Sequence, residues 1–265
     1  MNNKKIAVIG VGNMGGAIVT GLIKSEFIAK SDIFVFDTRE SILAEMKEAG
    51  VTIAGHSLDA ARNSDVIIIA VKPRFVGKVL HEIKPALIPG KILISIAAGI
   101  SLSDLAGICG DDIACYRIMP NTAVAMQQSL TCISGNEAGR SDLDYVMELF
   151  NNLGRTVEIR EDLMSAATVL SSCGIAFALR YIRAAVEGGV EMGFGAEEAG
   201  LITAQTVKGA AELILSSGNH PESEIDKVTT PGGITIAGLN EMEHEGFSSS
   251  LIKGIMAAYK KVENK

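Results

Sequence analysis

Hydrophobic positions along the chain fall into two regimes. From residue 4 to about 160, short β-branched runs alternate with stretches of helical period. The unbroken run Ile6-Ala7-Val8-Ile9 reads as a strand buried on both faces, and a helix-compatible run follows over 17–24. Further strands are predicted over 33–36, 51–53, 65–71 and 91–95, with others over 113–118, 130–134 and 156–159. Helices are predicted over 40–49, 74–87 and 142–152, the second entered through Lys72-Pro73. Strands alternating with helices argue for a parallel, doubly wound sheet.

The pattern changes near Glu161, after which no convincing strand is found. The run 164–192 is apolar nearly all round and rich in small residues, among them Ala166, Ala167, Gly174, Ala176, Ala178, Ala184 and Ala185. A helix without a polar face must be buried on several sides. A second copy of the chain supplies that burial most economically, so a homodimer built through this half is expected. The predicted domains are residues 1–160, binding a dinucleotide, and residues 161–265, all-helical.

Composition narrows the class. The formal net charge of -7 over 265 residues argues against nucleic acid as a partner. Cys109, Cys115, Cys132 and Cys173 show no metal-ligand spacing and read as reduced thiols, so no metal is expected. Glycines at 10, 12, 15 and 16 interrupt any secretory leader, and no window is expected to reach the roughly 20 apolar residues of a membrane span. These features together point to a cytoplasmic protein without a membrane partner.

The candidate chemistry starts where the first strand ends, in Gly10-Val11-Gly12-Asn13-Met14-Gly15. This is the G-x-G-x-x-G of a dinucleotide site. Gly10 allows the turn, Gly12 lets the backbone approach a pyrophosphate, and Gly15 lets helix and strand pack closely. Phosphates would then lie on the N–H groups of the first helical turn. The second strand ends in Asp37, about 20 residues past the motif, where the fingerprint places a ribose-binding acid. Asp37 favours NADH, whereas Arg39, with Thr38 as a second donor, favours the extra phosphate of NADPH. The residues alone leave both cofactors open.

Ligands of open α/β sheets lie beyond the C-terminal strand ends. Those ends add Ala70-Val71-Lys72-Pro73, Ile96-Ala97-Ala98-Gly99 and Met119-Pro120-Asn121-Thr122. In the helical half, Thr229-Thr230-Pro231-Gly232-Gly233 lies between two helical runs. Its hydroxyls and successive N–H groups form a nest suited to a carboxylate.

Taken together, IGVGNMG (9–15), AVKP (70–73), SIAAGI (95–100), RIMPNT (117–122), GGVEMG (188–193), AQTVKGAAELIL (204–215) and VTTPGGITIAGLNEMEHEGF (228–247) resemble the pyrroline-5-carboxylate reductase family over essentially the whole chain. The resemblance implies an N-terminal Rossmann-type domain and an all-α C-terminal dimerisation domain, with five dimers forming a decamer in many members. It implies reduction of 1-pyrroline-5-carboxylate to L-proline by NADPH or NADH, the last step of proline biosynthesis. It assigns the cofactor to Ile9, Gly10, Val11, Gly12, Asn13, Met14, Gly15, Asp37, Ala70, Val71, Lys72, Pro73, Ile96, Ala97 and Ala98. Met119, Pro120 and Asn121 would flank the nicotinamide. Thr230, Gly232 and Gly233 would bind the substrate carboxylate, and Thr235 would hydrogen-bond the ring nitrogen as the catalytic residue.

Two departures stand out. The family often reads G-S-G-P-A-F where this chain has Ser172-Cys173-Gly174-Ile175-Ala176-Phe177, so the long helix is expected to bend differently. Asp37 replaces a small polar residue frequent in NADPH-preferring members, which tilts the reading toward usable NADH. A β-hydroxyacid dehydrogenase would share the layout, but those enzymes resemble one another in a catalytic lysine early in the helical domain, and 170–179 contains none. A dinucleotide sensor without turnover is the rival outside enzymes.

Overall fold

The computed structural model describes residues 4–264. One compact unit extends to Ser172 and includes the last residues from Val262; the other is Cys173–Lys261.

The first unit is an eight-stranded sheet. Its strands are β1 (Ile6–Ile9), β2 (Ile33–Phe36), β3 (Thr52–Ile53), β4 (Val66–Ile69), β5 (Ile92–Ser95), β6 (Ala114–Met119), β7 (Ser129–Gly135) and β8 (Gly154–Glu158). Their order is β3-β2-β1-β4-β5-β6-β7-β8. All neighbours run parallel except β6 and β7, which pair antiparallel with Ile118 opposite Ile133. The exception has a simple cause. A parallel crossover needs a dozen or more residues, and the connection 120–128 holds only a short 3₁₀ turn, Thr122–Met126.

Period-2 alternation divides the strand side chains between two cores. Ile6, Val8, Val66, Ile68, Ile92 and Ile94 face one, and Ala7, Ile9, Ile67, Ile69 and Leu93 face the other. Helices cover both faces, which is why these strands are apolar at every position. On α4 (Pro73–Ile83), Val76, Leu80 and Ile83 recur at helical spacing into the second core. On α6 (Leu143–Asn151), Val146, Leu149 and Phe150 do the same for the first.

The helix after β1, α1 (Asn13–Ser25), starts four positions earlier than its apolar pattern suggests, inside the glycine motif. The helix α2 (Glu40–Glu48) lies where expected. Two helices were not anticipated, α3 (Ser57–Arg62) and α5 (Leu102–Cys109). The second carries a local signal, a capping box in which Ser101 accepts from the Asp104 N–H and the Asp104 carboxylate accepts from the Ser101 N–H.

A long helical run begins with α7 (Met164–Ala167), passes through a π turn at Thr168–Cys173, and continues as α8 (Gly174–Glu191). The π turn ends two residues before Ile175, where the family often has proline; such turns are a recognised cause of helix bending. The expectation that no segment is long and apolar enough to cross a membrane is corrected here. The run Glu161–Glu191 meets that test by length and composition, an 18-residue stretch within it having a mean hydropathy of 1.5. Its small, apolar side chains raise the mean whether they face lipid or protein.

The second unit continues with α9 (Ala196–Ser217), α10 (Pro221–Val228), α11 (Ile234–His244) and α12 (Phe247–Glu263). A Cβ on Gly189 would lie 2.9 Å from that of Ala199, so α8 and α9 approach closely through two small residues. Among the described residues of α8–α12, only those two are buried. Leu201 is 73% exposed and Met192 76%. One copy of this helical unit leaves most of its apolar surface uncovered, far beyond the scattered apolar residues of an ordinary surface.

Candidate active site

Backbone sterics build the nucleotide end of the site. Gly10 has φ +94°, and a Cβ there would lie 2.8 Å from Val71 Cγ1. A Cβ on Gly15 would fall 1.9 Å from the Gly10 carbonyl oxygen. Only glycine permits this turn between β1 and α1. Gly12 is the N-cap of α1, and no side chain caps it. The first-turn N–H groups therefore face the cleft with their positive dipole end, the arrangement that holds a pyrophosphate. The uncapped turn and the Cβ-free approach fit a dinucleotide.

The predicted residues Gly10, Gly12, Asn13, Met14, Asp37, Thr38, Arg39, Ala70, Val71 and Lys72 line one cleft of about 600 Å³. A smaller, more apolar cavity of about 200 Å³ adjoins it, lined by Ile9, Phe36, Phe75 and Val79 among others. Phe75 borders both and was missed by sequence reasoning. Its signal was an aromatic on the first turn of a helix that starts at a strand end, 44% exposed despite its size. Val11, Gly15 and Pro73 support the turn and the helix starts without lining the cleft. Ile96, Ala97 and Ala98 follow β5; Ala97 is buried and donates its N–H to Ser95 Oγ at 3.3 Å.

Asp37 does not stand free. It is 8% exposed. Its Oδ2 accepts from the Val11 N–H at 2.9 Å and from Arg39 Nη2 at 2.9 Å. Its Oδ1 accepts from the Arg39 N–H at 3.0 Å and from Arg39 Nε at 2.9 Å. The Arg39 side-chain hydrogen bonds hold the Asp37 carboxyl below its usual range, against the opposing effect of burial.

Met119, Pro120 and Asn121 leave the end of β6 as a buried loop. The Asn121 side chain is engaged at both ends. Its Oδ1 accepts from the Ala123 N–H at 3.0 Å, and its Nδ2 donates to the Ser171 carbonyl in the π turn at 3.3 Å. Its own N–H donates to Ser129 Oγ at 3.0 Å, and Ser171 Oγ donates to the Leu130 carbonyl at 2.8 Å. Ser129 and Ser171 were not anticipated, because nothing local in the sequence marks their partners.

The remaining predicted residues lie in the second unit. The Gly233 N–H donates to the Thr230 carbonyl at 2.9 Å, and Gly232 has φ +71°. This is a tight turn with Pro231 and Gly232 at its centre. A Cβ on Gly233 would sit 2.4 Å from Thr230 Oγ1, so the threonine hydroxyl lies against the glycine that starts α11. No side chain caps α11. Thr235 stands in its first turn, half-buried. Uncapped N–H groups beside a hydroxyl are the kind of arrangement that can accept an anion.

The family model for pyrroline-5-carboxylate reductase dimerisation matches residues 161–265. A model described as NADP oxidoreductase, coenzyme F420-dependent, matches residues 5–99. Pyrroline-5-carboxylate reductase 2 of Dictyostelium discoideum is 40% identical over 98% of this chain and 92% of its own length. The chain belongs to the pyrroline-5-carboxylate reductase family. Pyrroline-5-carboxylate reductase 1 of the same organism is also 40% identical over 96% of this chain, which spans about half, 48%, of that relative's length. The pyrroline carboxylate reductase of Plasmodium falciparum, solved with NADP bound, superposes with a TM-score of 0.88 at 30% identity, covering 100% of this chain and 98% of the other. The family accounts for the apolar helical half: it is a dimerisation domain, and the chain forms a homodimer.

Proposed function

We propose that this chain reduces 1-pyrroline-5-carboxylate to L-proline at the expense of NADPH or NADH, with the residues above in the following roles. The first-turn N–H groups of α1, from Asn13 on, hold the cofactor pyrophosphate over Gly10, Gly12 and Gly15. Thr38 and Arg39 serve the adenosine ribose, and Asp37 contributes to the cofactor site through its bonds to Arg39. Ile9, Val11, Met14, Ala70, Val71, Lys72, Pro73, Ile96, Ala97 and Ala98 shape the walls, and Met119, Pro120 and Asn121 form the loop that flanks the nicotinamide. Bound nicotinamide supplies the hydride that reduces the ring C=N.

On the substrate side, Thr230 and the N–H groups following Gly232 and Gly233 bind the ring carboxylate. Thr235 holds a hydrogen bond at the ring nitrogen, keeping the proton there that makes the carbon electrophilic. These residues act by orientation and by excluding water, not by forming a covalent bond. The observation that carries this reading is the glycine turn that opens α1, where Gly10 and Gly15 leave no room for a Cβ and the first-turn N–H groups border the cleft lined by Asp37, Thr38 and Arg39.

The working domain division is residues 1–160 for cofactor and 161–265 for dimerisation and substrate. The dimer assembles further into a decamer of five dimers, and the enzyme acts in the cytoplasm. Loss of NADPH or NADH absorbance on adding racemic 1-pyrroline-5-carboxylate, with proline identified as product, tests the reaction. Cofactor binding without turnover would refute it in favour of a sensor.

A further inference from the structure

We propose that Asp37 is a positioning residue and not a ribose ligand. It fixes the Arg39 guanidinium so that the pair selects a dinucleotide carrying a 2′-phosphate over one lacking it. This rests on the cofactor reading above and deepens it by naming the preferred cofactor.

A carboxylate offers about four acceptor positions. In Asp37 the protein itself occupies four, with the Val11 N–H, the Arg39 N–H, Nε and Nη2, all within 2.9 to 3.0 Å. A ribose hydroxyl would have to displace one of them from a group that is 8% exposed. The acid that the fingerprint places on the ribose is therefore already saturated.

Arg39 has the opposite character. Its guanidinium carries five N–H donors in a planar fork. Asp37 takes Nε–H and one hydrogen of Nη2, leaving the outer edge formed by Nη1 and Nη2. That edge matches a phosphate bidentately. The side chain is 54% exposed and borders the cleft with Gly12 and Thr38. A Cβ on Gly12 would lie 3.3 Å from Arg39 Nη2, so the guanidinium sits over the motif turn. Pairing with Asp37 also holds a side chain that would otherwise lose rotamer freedom on binding, so less order remains to be imposed by the ligand. The Asp37 charge is offset by the same bidentate contact, which lets a phosphate dianion approach the outer edge. Lys72, bordering the same cleft, adds a second cation.

Isothermal titration calorimetry of the intact protein with 2′,5′-ADP and with 5′-ADP tests this without turnover. The wild type is expected to bind 2′,5′-ADP about 10- to 100-fold tighter. Arg39→Gln should erase that difference, and Arg39→Lys, which keeps the charge but loses the fork, should keep only part of it. Asp37→Asn should shrink the preference while 5′-ADP affinity stays within about twofold. If Asp37→Asn weakens 5′-ADP and tightens 2′,5′-ADP, the acid is a ribose ligand and the proposal is overturned. Equal binding of both nucleotides by the wild type also overturns it, whereas binding of neither overturns the cofactor reading itself. Arg39 is exposed, so its two variants decide the matter even if Asp37→Asn does not fold.

Discussion

Asn121 is the side chain through which the loop after β6 is tied to the π turn of the long helix. Replacing it with alanine removes two hydrogen bonds of unequal consequence. The bond from Nδ2 to the Ser171 carbonyl is long, at 3.3 Å, so its net worth lies near the lower end of about 0.5–1.5 kcal/mol. The acceptor left behind costs more. Ser171 is 7% exposed, so its carbonyl loses a donor where water does not readily replace it, a loss of up to about 1–3 kcal/mol. At the other end, Asn121 caps the 3₁₀ turn Thr122–Met126 through the Ala123 N–H. Ala123 is half-buried and can reach water, so loss of that cap costs about 0.5–2 kcal/mol. The expected loss of stability for Asn121→Ala is about 2–4 kcal/mol. Asn121→Ser retains a capping oxygen and isolates the contact with Ser171, at about 1–3 kcal/mol. Urea denaturation at one fixed protein concentration is the assay, since stability of a dimer depends on concentration. The midpoint should fall with an unchanged slope, and the Michaelis constant for the cofactor should rise with the loosened loop. A serine variant as stable as wild type would refute the reasoning, because it would show that the contact with Ser171 contributes nothing.

Further outcomes follow from the same geometry. Gly15→Ala places a Cβ on the Gly10 carbonyl and should weaken dinucleotide binding at least about tenfold by calorimetry; full affinity would mean that the turn can open. Thr235→Ala should reduce kcat/KM about 5- to 150-fold, or about 1–3 kcal/mol of transition-state binding, and unchanged kinetics would remove it from the mechanism. Because the Asp37 carboxyl is held below its usual range in the folded protein, its contribution to stability is present above the unfolded value of about 3.9 and is lost as pH falls through the folded value. The stability gap between wild type and Asp37→Asn should thus be full above about pH 5 and close on acidification; a gap independent of pH would contradict the pairing. Leu201→Glu adds a charge to a residue 73% exposed on one copy of the helical unit and should shift the dimer toward monomer in sedimentation velocity; an unchanged dimer would place Leu201 outside the interface.

Residue patterns alone determined the alternation of strands and helices in the first 160 residues, the glycine turn, the nest at Thr230–Gly233 and the need of the helical half for a partner. All four are local in origin. Period-2 and period-3.6 burial, the φ of glycine and the absence of a polar helix face are properties of neighbouring residues, and they survive whatever the rest of the chain does. One missed helix and one mis-bounded helix were also local matters. A capping box marked α5, and Gly12 as N-cap marked the true start of α1. Tertiary structure decided what spacing could not. The antiparallel β7 depends on where a short connection can reach. The two carboxylate oxygens of Asp37 are engaged partly by Val11, 26 residues away, so the choice between acid and arginine at the ribose exists only once β1 and β2 lie side by side. Asn121 meets Ser171 across 50 residues, and no local signal encodes such a partner. Hydrogen bonds at this range are set by the packing of whole elements, and a buried polar group takes whichever partner that packing brings within reach.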